Sequence, residues 1–196
     1  MELRSHERLL EQVGISPVAG VDEVGMGPLA GPVVAAAVIL LADSLIEDLN
    51  NSKALSRAVR ERVDAEVRRV AIAVGVGLAT VVEIDHLNIY QAGLEAMRCA
   101  VAALGQLPRY VLVDGRTIPG LGLPQMEFTK GDGRVYSIAA ASVVAKVHRD
   151  RLMCELEREH PGYGFAGHVG YATAEHREAI RRLGPCPAHR RSFTLL

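Results

Sequence analysis

The chain has 196 residues, of which 49% are hydrophobic and 23% are charged, a composition typical of a globular domain that buries a sizeable core. Its longest apolar run, residues 33–42, is about half as long as a membrane-spanning helix needs, and its first 13 residues lack the pattern of a secretory signal. We therefore expect no membrane association. The three cysteines are widely spaced and match neither a disulfide framework nor a zinc site, which makes the reducing cytoplasm the simplest expectation.

The formal net charge is −1, which by itself argues against a nucleic-acid-binding protein, but the charges are unevenly distributed. Residues 1–129 carry 11 Lys and Arg against 16 Asp and Glu, whereas residues 130–196 carry 11 against 7 and five of the seven histidines. A C-terminal third that faces a polyanion is one interpretation of this asymmetry. Ordinary fluctuation of charge along a chain is the other.

The first half of the chain is predicted to contain three strands and three helices. In chain order these are a helix at 3–13, strands at 17–24 and 31–41, a helix from Ser56 to Val70, a strand at 71–81 and a helix at 83–104. The first two strands are joined by a connection rich in glycine and proline, so we expect them to pair in antiparallel fashion. Ser56 is the expected N-cap of the helix that it opens.

The second half is predicted to contain two strands and two helices. In chain order these are strands at 110–115 and 125–130, a long helix at 134–160 that Pro161 ends, and a helix at 173–183 before a polar tail. No linker is long enough to separate two independent domains. We therefore expect one α/β domain over residues 1–196, with residues from about 150 to 196 as a helical C-terminal extension.

Acidic side chains end or follow three of the predicted strands, each beside a glycine. They are Asp22 and Glu23 in "VDEVG", Asp114 in "VLVDG" and Asp132 in "TKGDG". If they meet at one sheet edge they need a counter-charge, because two like charges about 4 Å apart repel by roughly 4 kcal/mol at an effective dielectric of ~20. Mg²⁺ or Mn²⁺ would supply it, and a pair of such ions makes a phosphodiester-cleaving site. The alternative is that each acid is an ordinary exposed carboxylate.

The adjacent acids Asp22 and Glu23 raise a geometric difficulty. Neighbouring residues of a regular strand point to opposite faces of the sheet, so the two should not reach one site. They can do so only where the strand ends or bulges, and Gly25 permits either.

Several segments match, in order, the motifs of one nuclease family. They are "AGVDEVGMGPLAGPVVAAAVIL", "NSKALS", "EIDHLNIYQAGLEAM", "VDG", "KGDGRVYSIAAASVVAKVHRDRLM", "HPGYGFAGHVGYATAEH" and "HRRSF". Together they extend over residues 17–193 and resemble type 2 ribonucleases H, the family of bacterial ribonuclease HII. The order and number of the motifs make this resemblance specific.

The resemblance implies a ribonuclease H-like mixed sheet flanked by helices, with a C-terminal helical extension. It also implies an endonuclease that cuts the RNA strand of RNA–DNA hybrids, and DNA duplexes at embedded ribonucleotides. The cut falls on the 5′ side of a ribonucleotide and leaves 3′-hydroxyl and 5′-phosphate ends. Two divalent cations, Mg²⁺ or Mn²⁺, would be held by a catalytic tetrad: Asp22, Glu23, Asp114 and Asp132.

The resemblance also assigns substrate-binding residues. The family's Gly-Arg-Gly loop falls on Gly25, Met26 and Gly27, and its junction-sensing tyrosine falls on Tyr171. Glycines let backbone amides approach a sugar closely, and the 2′-hydroxyl is the group that distinguishes RNA from DNA.

Lys53 and Lys146 lie beside family motifs and are plausible phosphate contacts; solvated surface lysines are the alternative. We expect a monomer. The terminal "SFTLL" could bind a sliding clamp, although a frayed tail is the better interpretation. Of the histidines, His148, His168 and His176 lack the spacing of metal ligands, so we expect structural or phosphate-side roles for them.

The chain departs from the family pattern at four positions: Met26 replaces an arginine, Asn51 an aspartate, Val169 a lysine and Ala172 a glycine. Loss of a guanidinium removes a charge-assisted contact worth about 1.5–3 kcal/mol. We therefore expect a lone embedded ribonucleotide to be processed less well than a longer RNA tract. Two other functions stay open on the sequence: a different two-metal nuclease or strand transferase on the same fold, and a non-catalytic nucleic-acid-binding relative.

Overall fold

The computed structural model describes residues 3–49 and 55–196. Its centre is a mixed sheet of β1 (Val18–Val24), β2 (Val33–Leu40), β3 (Ala71–Ala79), β4 (Tyr110–Asp114) and β5 (Gln125–Phe128). The spatial order is β3-β2-β1-β4-β5. β2 pairs antiparallel with β1 and β3, as predicted for the first two strands, whereas β4 lies parallel to both β1 and β5. The predicted mixed sheet is confirmed.

Helices cover both faces of the sheet. They are α1 (Ser5–Gln12), α2 (Arg57–Val70), α3 (Val81–Leu87), α4 (Ile89–Ala102), α5 (Tyr136–Glu159), α6 (Phe165–His168) and α7 (Ala174–Leu183). One apolar core lies between the sheet and α4, and a second lies between the sheet and the pair α2 and α5. Ser56 caps α2 as expected, since its side chain accepts a hydrogen bond from the Val59 N–H. Within the described residues, no helix is long and apolar enough to cross a membrane.

Two helices approach the sheet very closely because glycines face them. A Cβ on Gly20 of β1 would lie 2.1 Å from the backbone carbon of Ser137 in α5, and one on Gly77 of β3 would lie 2.3 Å from the Ala96 oxygen in α4. Any side chain at these positions would push the helix away. The small residues Ala139–Ala141 continue this close packing on α5.

The helix predicted at 83–104 is two helices, so that prediction is wrong in its continuity. Asn88 adopts a left-handed conformation (φ 75°), which interrupts the helical path between α3 and α4. Its side-chain oxygen then accepts the Gln91 N–H at 3.0 Å and caps α4. Asparagine is a good N-cap residue, and hydrophobic periodicity alone does not show the break.

The C-terminal segment packs along the loop that follows β1. Leu29 N–H donates to Gly170 O, Gly31 N–H donates to Ala188 O, and Arg190 N–H donates to Leu29 O, all at 2.8–2.9 Å. A third apolar cluster around Phe165 joins α6 and α7 to this loop. The helices α6 and α7 and the tail that follows them therefore pack at the end of the sheet that carries the predicted acids, whereas the predicted start of a C-terminal extension, about residue 150, falls inside the continuous helix α5.

Candidate active site

The four predicted acids lie together at one end of the sheet. β1 carries Asp22 and Glu23, β4 ends at Asp114, and Asp132 lies in a 3₁₀ turn after β5. Because β1 and β4 are parallel, with Val21 beside Val113, their C-terminal ends coincide. All four acids line a cleft of about 330 Å³, which we call the acidic cleft.

Asp22 and Glu23 reach the same cleft without a bulge. β1 keeps a regular register, with Asp22 opposite Ala36 and Glu23 opposite Ala35. The bulge that the sequence allowed is absent from this strand, and the strand-end alternative applies, since β1 ends at Val24. The acidic cleft wraps around the end of the strand, so side chains that point to opposite faces both open into it.

The carboxylates of the acidic cleft repel one another, and burial removes the water that would screen their charges. Asp22 is 6% exposed, and burial, followed by the charges of Glu23 and Asp114, raises its pKa well above its ordinary value. A hydrogen bond from Ser142 opposes that rise. Burial and then Asp114 raise the pKa of Glu23 to about 7. The cluster therefore lacks positive charge.

The carboxylate oxygens of the acidic cleft are suitable ligands for a hard divalent cation. The acidic cleft offers carboxylate oxygens from four side chains, and Glu23 Oε2 is buried with no hydrogen-bond partner in the described part of the chain. Mg²⁺ and Mn²⁺ prefer such oxygen ligands. Within residues 3–49 and 55–196, however, no three His, Cys, Asp or Glu side chains form a ready-made metal-ion group, so an ion would have to draw the carboxylates together.

A glycine-rich loop borders the cleft, and a buried arginine donates hydrogen bonds to its backbone carbonyls. Gly25 has φ 96°, which favours glycine. Arg190, fully buried, donates to the carbonyls of Gly25 (2.6 Å), Met26 (3.3 Å) and Gly31 (2.9 Å). In a trans peptide the N–H points opposite to the C=O, so the Met26 and Gly27 N–H groups point away from Arg190. Among the described residues neither N–H has an acceptor.

The Met26 side chain packs into the protein. It lies against α4, where a Cβ on Gly93 would come within 3.0 Å of the Met26 sulfur. It also contacts the apolar core between the sheet and α4. An apolar residue between two glycines is therefore explained by a glycine on the facing helix.

Tyr171 and Lys146 also line the acidic cleft. Tyr171 is 45% exposed and stands beside the glycine loop, with its ring 3.7 Å from where a Cβ on Gly27 would lie. Lys146 and Arg60 both bind Asp150, at 2.6 Å and 3.2 Å. Lys53, predicted to contact phosphate, lies outside the described residues.

A network of histidines contacts the backbone of Tyr171. His176 Nδ1 lies 2.8 Å from the Tyr171 carbonyl and must donate to it, so its Nε2 accepts from His189 Nε2 at 3.1 Å. His189 Nδ1 in turn accepts the Cys186 N–H at 3.0 Å. His168 stacks on His176 with ring centres 4.3 Å apart. The structural role expected for His168 and His176 is confirmed.

Three contributors escaped the sequence reasoning. Ser142, whose hydroxyl binds Asp22, follows an alanine-rich run in α5. Arg149 and Arg190 are both fully buried and donate to backbone carbonyls. Only their place inside matched motifs distinguished them from ordinary surface arginines.

The chain resembles known proteins along nearly its whole length. The family model described as ribonuclease HII matches residues 19–196. A ribonuclease HII of Geobacillus thermodenitrificans is 54% identical over 192 residues, covering 98% of this chain and 74% of that protein. The crystal structure of ribonuclease H2 from Pyrococcus horikoshii superposes with a TM-score of 0.77 at 26% identity, covering 91% of this chain and 94% of the other. A ribonuclease HII from Archaeoglobus fulgidus, solved in complex with PCNA, also gives 0.77 at 26% identity, with 90% and 95% coverage.

Proposed function

Because the chain belongs to the ribonuclease HII family, and is therefore a nuclease that acts on RNA–DNA hybrids, we propose its cleavage position, its catalytic groups and its additional substrate. It cuts on the 5′ side of a ribonucleotide and leaves 3′-hydroxyl and 5′-phosphate ends. Its substrates include DNA duplexes that contain embedded ribonucleotides. The observation that carries this proposal is the convergence of four carboxylates, the glycine loop and Tyr171 on one cleft.

The four acids act as one charged unit. Asp22, Glu23, Asp114 and Asp132 would hold two divalent cations, Mg²⁺ or Mn²⁺, which when bound activate water and stabilise the leaving oxygen. The orphan oxygen of Glu23 and the raised pKa values of Asp22 and Glu23 support this assignment, since a cation would relieve both. Ser142 orients Asp22 by its hydrogen bond.

The glycine loop and Tyr171 recognise the ribonucleotide. The unpaired N–H groups of Met26 and Gly27 can donate to a sugar oxygen, and the absence of a Cβ at Gly27 lets the sugar approach. Tyr171 offers a ring face for the sugar and a hydroxyl for hydrogen bonding. Lys146, together with Arg60, would attract a backbone phosphate to the acidic cleft.

A sliding-clamp partner stays a prediction. The tail is not frayed as far as Phe193, which packs against two of the apolar clusters, and Leu195 O accepts a hydrogen bond from Arg177 at 3.2 Å. The frayed-tail interpretation is therefore wrong for these residues. Binding to a clamp would require this segment to leave its own protein or to present its outer side.

The test compares three duplexes of the same sequence: an RNA–DNA hybrid, a DNA duplex with one ribonucleotide, and an all-DNA duplex. We expect the first two to be cut, with Mg²⁺ or Mn²⁺ required, and the new 5′ ends to carry phosphate. Cleavage of the all-DNA duplex at a comparable rate would instead indicate a two-metal nuclease that ignores the 2′-hydroxyl.

A further inference from the structure

A second, smaller cavity opens beside the acidic cleft on the α4 side. It has a volume of about 80 Å³ and shares Glu23 and Asp114 with the acidic cleft. Its lining includes the half-buried Met26 side chain and the exposed residues Tyr90 and Arg116. We call it the side cavity. It is far smaller than the acidic cleft, which favours a compact group over a whole base.

Arg116 is held in place at the rim of this cavity. Its guanidinium carbon lies 4.3 Å from the centre of the Tyr90 ring, in the first turn of α4. Its backbone N–H donates to Asp114 O at 2.9 Å, directly after the acid that ends β4. Stacking on an aromatic ring fixes the plane of a guanidinium and leaves its edge free to donate hydrogen bonds.

Arg116 differs from the two cations that line the acidic cleft itself. Arg60 and Lys146 are both bound to Asp150. In contrast, the exposed Arg116 forms no ion pair with a carboxylate within residues 3–49 and 55–196. The guanidinium N–H groups of Arg116 therefore face solvent. The carboxylates beside them repel an anionic ligand unless a cation is bound.

We propose that Arg116, braced by Tyr90, binds a backbone phosphate of the substrate strand next to the phosphate that is cleaved. A planar guanidinium matches two phosphate oxygens at once. The neighbouring acids Glu23 and Asp114 repel an anion unless a cation is bound between them, as the proposed function requires, and the apolar Met26 side chain in the lining suits the carbon face of a sugar. This subsite rests on the proposed function and adds a strand-positioning contact to it.

A second role for Arg116, stabilisation of the Glu23 carboxylate, must be distinguished from phosphate binding. Arg116 also lies close enough to Glu23 to stabilise the charged carboxylate, so its loss could alter cleavage without any phosphate contact. A phosphate contact changes the salt dependence of substrate capture, because each neutralised phosphate contributes a slope of about 0.7–0.9 in log affinity against log salt concentration. An effect through Glu23 changes the pH profile of kcat instead.

The experiment measures kcat and KM on an RNA–DNA hybrid across a salt series for the wild type, Arg116→Ala, Arg116→Lys and Tyr90→Leu. Arg134→Ala is the matched control, since Arg134 is also exposed and stacked on a ring, that of Phe128, but lines neither cavity. For Arg116→Ala we expect KM to rise about ten-fold with kcat nearly unchanged, and the salt slope of kcat/KM to become shallower by about 0.7–0.9.

Arg116→Lys should keep the slope but raise KM, and Tyr90→Leu should raise KM by a smaller factor. An unchanged slope in Arg116→Ala overturns the inference, as does a loss confined to kcat with a shifted pH profile. An equal change in Arg134→Ala also overturns it. Failure of the wild type to cut the hybrid would contradict the proposed function instead, so the two failures are distinguishable.

Discussion

At the scale of single residues, Met26 shows how an apparent anomaly is resolved by its contacts. Its side chain fits over Gly93 on the facing helix, and its backbone carbonyl is bound by Arg190 at 3.3 Å. The loop therefore presents backbone N–H groups without a cationic side chain. Nothing in the linear sequence around Met26 indicates Gly93, because the two residues lie on different elements.

We expect Met26→Arg to raise cleavage of a single embedded ribonucleotide relative to an RNA tract, by roughly ten-fold, since a charge-assisted contact contributes about 1.5–3 kcal/mol. The measurement is the ratio of kcat/KM on the two substrates for wild type and variant. Met26→Leu is the control, because it keeps an apolar side chain over Gly93. An unchanged ratio in Met26→Arg would mean that the replacement is silent.

The acids make a second residue-scale prediction, on pH. The pKa of Glu23 is raised from 4.5 to about 7, so between these values the folded protein holds a proton that the unfolded chain has lost. The free energy of unfolding contributed by this group therefore falls as pH rises through that window. A cation that binds the carboxylates competes with the proton and reverses the loss.

We expect the rise in Tm caused by Mn²⁺ to be larger at about pH 8 than at about pH 6. Glu23→Gln should reduce the rise and weaken its pH dependence. An equal rise at both pH values, or an undiminished rise in Glu23→Gln, would argue against a cation at these carboxylates.

At the scale of structural elements, the C-terminal segment and the glycine loop form one unit. Arg190 bonds to three loop carbonyls, and Arg149 bonds to Ala30 O and Pro32 O on the same loop. Burial lowers the pKa of Arg190 to about 9 and that of Arg149 to about 10. Both guanidiniums remain charged at neutral pH and are satisfied by backbone oxygens.

We expect Arg190→Met to lower the free energy of unfolding by about 2–4 kcal/mol, because it leaves buried carbonyls without donors. It should also lower the preference for a ribonucleotide over a deoxyribonucleotide, since the loop N–H groups lose their orientation. Arg177→Ala is the control, as it removes a bond to the same tail at Leu195 O and none to the loop. If Arg190→Met is destabilised but keeps its full substrate preference, the loop does not depend on this arginine.

The histidine network predicts acid sensitivity of the same region. Burial, followed by the neighbouring His176, lowers the pKa of His189 from 6.5 to about 4. Between these values the unfolded chain binds a proton that the folded protein does not, so this contribution is complete above pH 6.5 and is lost as the pH falls towards 4.

We expect the free energy of unfolding of the wild type to fall relative to that of His189→Asn on acidification below about pH 6.5, by about 3 kcal/mol in total once the pH is below 4. Chemical denaturation of both proteins at several pH values measures this difference. The acids of the cleft contribute a pH dependence of opposite sign, but both proteins contain them, so their contribution cancels in the difference between wild type and variant. Parallel pH profiles would show that His189 is not held neutral.

At the scale of the whole molecule, most of the fold could be predicted from the sequence because its signals are local. Apolar runs, glycine-proline connections and Pro161 mark the elements, and acid-glycine strand ends mark the cleft. The break at Asn88 escaped prediction because it depends on one left-handed residue within a continuous apolar pattern. The choice between a strand end and a bulge at Asp22 and Glu23 was also left open by the sequence, since it depends on how the cleft meets the end of β1.

The charge asymmetry along the chain combines two kinds of cation, buried arginines with a structural role and cations that line the cavities, which the sequence alone does not distinguish. Two of the arginines in the basic C-terminal third, Arg149 and Arg190, are buried against backbone carbonyls and cannot face a polyanion. Lys146 does line the acidic cleft, whereas Arg60 and Arg116 reach the two cavities from outside that third. Counting charges along the chain mixes these structural and surface roles.

The central claim is that four carboxylates at the end of the sheet form one cation-dependent ribonuclease site. The most direct measurement is cleavage of the single-ribonucleotide duplex by wild type and Asp114→Asn, with and without Mn²⁺, after circular dichroism has shown that the variant is folded. We predict cleavage 5′ of the ribonucleotide by the wild type only with the cation, and a loss of about a hundred-fold or more in Asp114→Asn. Full cation-dependent cleavage by folded Asp114→Asn would contradict the account.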